Sequence, residues 1–278
     1  MKRSMMRRNL YRSILRSLGR YIAIVAIIAL GASMFVGLLM TKSDMVATGQ
    51  EYTRQQNMFD LRLISTYGWD PEDVEKISRL EGVEDAAGQI YVDLIVHVGE
   101  TTDETVYRFY AIPETVNRID LRGGRMPESP DECVIDGYHM DDSILGTTLT
   151  VAQTNSEDSL EAVTYRTYTV VGYAASPLYM DMNRGTTSVG NGSITNCVYA
   201  PREGFEVDYY PEIHITIPGE YDLYTDAYND AMQQSADLLK PQLQPLAQIR
   251  LDRLRREAEE AYADGMKVLT TIVKLYKN

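Results

Sequence analysis

Twenty uncharged residues, Tyr21 to Met40, follow directly on a stretch that carries Lys2, Arg3, Arg7, Arg8, Arg12, Arg16 and Arg20 and no acid. At about 1.5 Å of rise per residue such a run makes a helix of about 30 Å, which matches the hydrocarbon thickness of a bilayer. All 40 Asp and Glu residues lie beyond it, beginning at Asp44. Cations next to a span are held on the cytoplasmic side, so the N-terminus is expected inside and residues 41–278 outside. A cleaved signal peptide is the alternative. Ala29 and Gly31 mimic its cleavage site, but Met34 to Leu39 prolongs the apolar run past the length of such a leader.

The rest of the N-terminus agrees with an anchor. Arg8, Arg12, Arg16 and Arg20 fall on one i, i+4 stripe, with Met6, Leu10, Ile14 and Leu18 on an adjacent one. A cationic face beside an apolar face suits a helix lying among inner-leaflet lipid headgroups. Within the span Ala29, Ser33 and Gly37 are also spaced by four, and small residues on one face admit a second membrane helix.

Setting the seven N-terminal cations aside leaves 20 of the 27 Lys and Arg against 40 acids, a balance of −20. An acidic surface of this kind repels phosphate backbones, so no nucleic-acid partner is expected. Cys133 and Cys197 both sit in strand-like apolar runs, and the sequence leaves open whether they pair.

The outer part reads as mixed α and β. Phe59–Ile64 is a strand candidate. Asp70-Pro71 opens a helix with a capping residue and Pro at its first position, Val74, Ile77 and Leu80 form its apolar face, and Gly82 follows its end. Strand-like runs lie at 89–98, 105–112, 147–153, 163–173, 194–199 and 212–217. Gly123 to Pro127 reads as a separating loop. From Asp222 the pattern is helical, interrupted by Pro241 and Pro245, with Leu251, Leu254, Ala258 and Ala261 at 3-4 spacing. The expected organisation is a cytoplasmic amphipathic helix (1–20), a transmembrane helix (21–40), an extracytoplasmic domain (41–221), a helical stalk (222–264) and an atypical tail (265–278). The fold class is α+β.

No catalytic pattern stands out. The sequence has no phosphate-binding G-x-x-x-x-G-K-[ST], no H-E-x-x-H and no G-x-S-x-G, and its histidines, His97, His139 and His214, are far apart. Neither enzyme activity nor a cofactor or metal is expected. The segment from Arg184 to Ser193 is the candidate contact loop, with Arg184, Gly185, Thr186, Thr187, Ser188, Gly190, Asn191 and Gly192 as the residues facing a ligand or partner. A plain hairpin loop explains the same composition.

Taken in order, these segments resemble the FtsX-like, MacB-like permease subunits of bacterial ABC transporters, specifically the first membrane helix and the MacB-like core domain after it. The resemblance is carried by residues 3–40 and by Leu80-Glu81-Gly82-Val83. It continues in Arg122-Gly123-Gly124-Arg125-Met126-Pro127, in Glu132-Cys133-Val134-Ile135-Asp136, in Gly146-Thr147-Thr148-Leu149 and in Tyr168 to Tyr173. Ser176 to Tyr199 is similar to a Gram-positive subgroup. The resemblance implies a cytosolic ATP-binding subunit, further permease membrane helices and membrane lipid as partners, and motion passed from the ATPase to the outer domain. It also implies three spans after the outer domain where this sequence has none, so the expectation is a truncated permease unit. A single-span anchored binding or sensor module is the alternative.

Overall fold

The computed structural model describes residues 17–137, 141–223 and 225–275, with side chains left out at 264, 265 and 267–275. The chain divides into two compact units, Met1–Tyr52 and Thr53–Asn278.

The first unit holds most of helix α1, Leu18–Gln55, a single helix of 38 residues long and apolar enough to cross a membrane. It therefore starts at the expected span and continues well past Met40. Its apolar side chains are exposed, with Ile27 and Leu30 each at 69%. In water so long an exposed apolar stripe is untenable, and in lipid it is the normal state. Arg20 is exposed on α1, whereas Arg8, Arg12 and Arg16 lie outside the described residues.

The second unit has two sheets. After α1 the elements are β1 (Leu61–Trp69), α2 (Pro71–Ser78), β2 (Asp85–Gln89), β3 (Tyr91–Val98), β4 (Thr105–Ala111), β5 (Asp120–Gly124) and β6 (Glu132–Asp136). Then come β7 (Thr148–Val151), α3 (Glu157–Glu161), β8 (Thr167–Ala175), β9 (Asn196–Ala200), β10 (Tyr210–Thr216) and α4 (Asp226–Leu275). One sheet is three-stranded in the order β1-β10-β2, all antiparallel. The other runs β5-β8-β6-β9-β4-β3-β7, and β7 also pairs with β8, so six of its strands close into a barrel with β5 added on β8.

The barrel follows from alternation. β8 buries every second residue, with Tyr168, Val170 and Ala174 essentially inaccessible. Leu94, Val96, Phe109, Cys133, Ile135, Leu149 and Val198 join Tyr168 and Val170 in the interior. Each such side chain contributes about 1.5–3 kcal/mol relative to exposure. Closure also removes free edges that would otherwise recruit other chains. Cys133 and Cys197 are both buried and both free. Cys133 belongs to the barrel interior and Cys197 to a second cluster with Tyr110, Val134 and Tyr199.

The structure departs from the sequence reading in four places. The run 89–98 is divided, because the chain passes from one sheet to the other at Ile90. Gln89 Nε2 holds that corner by donating to the Ile90 and Ala111 carbonyls, at 2.9 Å each. Gly123 and Gly124 end strand β5 rather than forming a loop, since Tyr173 and the Val171 carbonyl stand where a Cβ would be. Pro241 and Pro245 lie inside α4 and do not interrupt it. Leu239, close to both, is 1% exposed in the core of the three-stranded sheet, so tertiary packing overrides the helix-breaking tendency. The helix also continues past Gly265 to Leu275, across the boundary assigned between stalk and tail.

Candidate coupling joint

Helix α1 ends at a built joint. Asn57 adopts φ 51°, a left-handed conformation that terminates helices, and the Met58 N–H donates to the Thr53 carbonyl at 2.9 Å. The carbonyls of the last turn would be orphans. The segment Thr115–Arg118 satisfies them: Arg118 Nη2 donates to the Gln55 carbonyl (2.7 Å), the Arg118 N–H to Gln56 (2.8 Å) and the Asn117 N–H to Asn57 (2.8 Å). Asn57 Nδ2 returns a bond to the Thr115 carbonyl at 2.9 Å. A guanidinium at this helix end also complements the helix dipole.

Asn117 is the centre of the joint. It is fully buried, with φ 59°. Its Oδ1 accepts from the Phe59 N–H at 3.0 Å, which leaves Nδ2 to donate to His214 Nδ1 at 2.8 Å. His214 Nδ1 is therefore an acceptor and carries no proton, so Nε2 bears the hydrogen and donates to Glu212 Oε2 at 3.1 Å. Phe59 stacks on the imidazole with centroids 4.8 Å apart. Arg62 Nη1 stands 3.5 Å from the other Glu212 oxygen. Burial pushes the Glu212 carboxyl up, but the His214 hydrogen bond and the charge of Arg62 bring it net below its usual range.

Helix α4 is held by charge to the start of α2, the helix that joins β1 to β2 of the small sheet. Arg250 and Arg253 both donate to Asp70 Oδ2, and Arg253 Nη2 reaches Asp73 Oδ1 at 3.3 Å. Asp70 precedes Pro71 at the N-terminus of α2, where the sequence places a cap, and its N–H donates to Asp73 Oδ2 at 3.3 Å. Gln242 Nε2 adds a bond to the Glu81 carbonyl at 3.2 Å.

The candidate residues read from sequence lie elsewhere. Ala29, Ser33 and Gly37 are exposed along α1, with Ser33 Oγ donating to the Leu30 carbonyl at 3.1 Å. The Arg184–Ser193 segment is not a hairpin joining paired strands, because β6 lies between β8 and β9. It folds over the outer face of the barrel, and a Cβ at Gly190 (φ 58°) would stand 2.7 Å from Val106 Cγ2. Arg184 is buried, its Nη2 2.9 Å from Asp136 Oδ1. Gly185, Thr186, Ser188, Gly190 and Asn191 are exposed, while Thr187 and Gly192 are half-buried. Sequence reading missed Asn57, Asn117, Arg118, Arg250 and Arg253. Two asparagines in left-handed turns were the available signal, and a signal that weak stands out only once the partner segments are adjacent.

No family model matches the chain, and no curated protein matches it. Among solved structures it is similar to the extracellular domain of the ABC-type transporter YknZ from Gram-positive bacteria. The identity there is 13%, covering 64% of this chain and 86% of that one, with a TM-score of 0.36. The periplasmic region of MacB from Actinobacillus actinomycetemcomitans gives 12% identity, 64% and 75% coverage and a TM-score of 0.36. A domain described as a permease protein from Porphyromonas gingivalis gives 15%, 63% and 76%, and 0.34.

Proposed function

We propose that this chain is a permease component of a bacterial ABC transporter of the FtsX/MacB type, with no chemistry of its own. A cytosolic ATP-binding subunit hydrolyses ATP, α1 lies in the cell membrane with its N-terminus in the cytoplasm, and residues beyond the span face outward. The observation that carries the reading is the continuity of α1. One helix runs from Leu18 to Gln55, and its terminal carbonyls are tied to Arg118 and Asn117 instead of ending in a slack linker. A linker of Gly and Ser would absorb an axial displacement, whereas a hydrogen-bonded helix end passes it on. The ordered resemblance of residues 1–264 supports the same reading.

The test is copurification. The tagged chain is extracted from its native membranes in neutral detergent, and co-eluting proteins are identified by mass spectrometry. The expected result is a stoichiometric subunit bearing a G-x-x-x-x-G-K-[ST] loop. A chain that elutes alone in every detergent overturns the reading and leaves the anchored binding module in its place.

A further inference from the structure

Between β8 and β9 the chain from Pro177 to Ile194 crosses the outer face of the barrel, and it is organised largely by its own groups. Within it the Thr187 N–H donates to the Gly192 carbonyl at 3.2 Å, Gly192 to Val189 at 3.1 Å and Ile194 to Gly185 at 3.3 Å. The side chains of Asp181, Asn183 and Asn191 accept from the N–H groups two residues on, at 3.0, 2.9 and 3.0 Å. Such a segment is a compact surface loop packed by itself, not a part of the sheet. At Thr195 the backbone returns to the sheet, its N–H donating to the Val106 carbonyl at 2.8 Å.

Polar contacts fasten the segment to the barrel. Arg184, 4% exposed, reaches Asp136 Oδ1 of β6 at 2.9 Å, and the Tyr179 hydroxyl meets that of Tyr110 on β4 at 2.7 Å. The Arg184 guanidinium also lies over the Tyr179 ring, 5.3 Å from its centroid, so the two fastenings bear on each other. The attraction within a buried ion pair is largely offset by the dehydration of both ions, and parting the two elements returns both to water. Parting an apolar seam brings no such return.

Beneath the segment, Tyr110 stacks on Tyr199 at 5.7 Å, and Cys197 of β9 stands in the same cluster. Burial pushes the Cys197 thiol up to about 12, and Tyr179 and Arg184 of the segment are among the groups that bear on it. Cys133 lies on the opposite side of the sheet, inside the barrel.

We propose that residues 177–194 are a strap that opens as a unit while the barrel stays folded, with Arg184–Asp136 and Tyr179–Tyr110 as its catches and Ser176 and Thr195 as its hinges. Opening uncovers the outer face of β4, β6 and β9 at Tyr110, Asp136, Cys197 and Tyr199. The inference goes beyond the transport reading and holds whether or not an ATPase binds.

The two cysteines report the two events separately, since Cys197 is covered by the strap and Cys133 by the barrel itself. The full chain in neutral detergent is labelled with iodoacetamide at a series of urea concentrations below the unfolding transition. Mass spectrometry resolves the two sites, and each rate is divided by that of the same cysteine in unfolding urea. Cys197 is expected to react about a hundredfold or more faster than Cys133 and with little dependence on urea, because strap opening exposes little surface. Cys133 is expected to follow the full urea slope of barrel unfolding. Tyr179→Phe removes one catch and should speed Cys197 about fivefold. Arg184→Met removes the other and should speed it about a hundredfold or more.

A common rate and urea slope for both cysteines overturns the proposal, since the segment would then part only when the barrel unfolds. So does a fast Cys197 whose urea slope equals that of Cys133, which would mark a larger unfolding. A Cys197 rate unchanged by Tyr179→Phe and by Arg184→Met overturns it as well, because the reagent would then arrive by a route that the catches do not close.

Discussion

Replacing Asn117 with Ala removes the centre of the joint, and its cost can be built from three parts. The half-buried Phe59 N–H loses its acceptor, at about 1 kcal/mol. His214 Nδ1, in a ring 1% exposed, loses its donor and is left unpaired, at about 1–3 kcal/mol. Ala at φ 59° adds about 1–2 kcal/mol of left-handed backbone strain that Asn tolerates better. The total is about 3–6 kcal/mol, a large share of the 5–15 kcal/mol typical of a domain. Trp69 is buried in the small sheet that contains His214, so its fluorescence follows unfolding of this module in urea, with the full chain held in neutral detergent. At a slope of about 2 kcal/mol per molar the midpoint should fall by about 1.5–3 M. Asn117→Gly loses the same bonds but accepts positive φ, and should recover about 1–2 kcal/mol of the loss. If Ala and Gly both leave the midpoint within about 0.3 M of wild type, the joint does not hold α1 in the way its hydrogen bonds imply.

Three further outcomes follow from the geometry. Arg184→Met removes the guanidinium from the buried Asp136 carboxylate and should cost about 3–5 kcal/mol in urea unfolding followed by far-ultraviolet circular dichroism, while adding Asp136→Leu should recover most of it; additive losses would refute the pairing. Arg125 and the Glu128 N–H pull Glu132 down to about 2 from its ordinary 4.5, so their contribution is complete above pH 4.5 and is lost as pH falls toward 2. Glu132→Gln should therefore flatten that acid limb of the stability profile, and an unchanged limb would show that other carboxylates set it. Deleting Thr186 to Gly192 removes mostly exposed backbone beyond the buried Arg184, and should leave the Trp69 transition unshifted but lower ATP-driven transport by the assembled complex. Unchanged transport would make that loop a surface cover alone.

What the sequence disclosed was whatever periodicity controls. The span of α1 and the helix capped at Asp70-Pro71 were legible because a run of apolar residues and a cap are local facts. β8 alternates cleanly because one face meets the barrel interior. β9 has no such alternation and is buried throughout, since the Ser176–Thr195 segment covers the face that would otherwise be wet. That covering is a tertiary event with no local trace. Pro241 and Pro245 argued correctly against a helix on propensity and lost to the packing of Leu239 and Leu243. The joint was illegible for a different reason. Asn117 lies 58 residues from Phe59 and 97 from His214, and no spacing rule links residues that only β1, β10 and the 112–119 connection bring together.

The two long helices meet the small sheet in unlike ways, and the difference bears on how motion would be divided between them. α1 ends in short bonds between neutral amides and carbonyls, with a single guanidinium, so displacing it by one residue's rise of about 1.5 Å breaks the backbone bonds to the Gln56 and Asn57 carbonyls together. α4 is held at Asp70 and Asp73 by two long arginine side chains that can follow a displacement of that size, and its Leu239 and Leu243 pack on the core of the small sheet. Axial motion of α4 therefore stretches the arginine clasp and slides an apolar contact, while motion of α1 loads the joint directly. Asp70→Asn, which weakens the arginine clasp but keeps a capping side chain, should accordingly lower protection of the Leu239–Ala247 amides in hydrogen exchange and spare those at Asn117 and Arg118; equal changes at both would mean the helices move as one body.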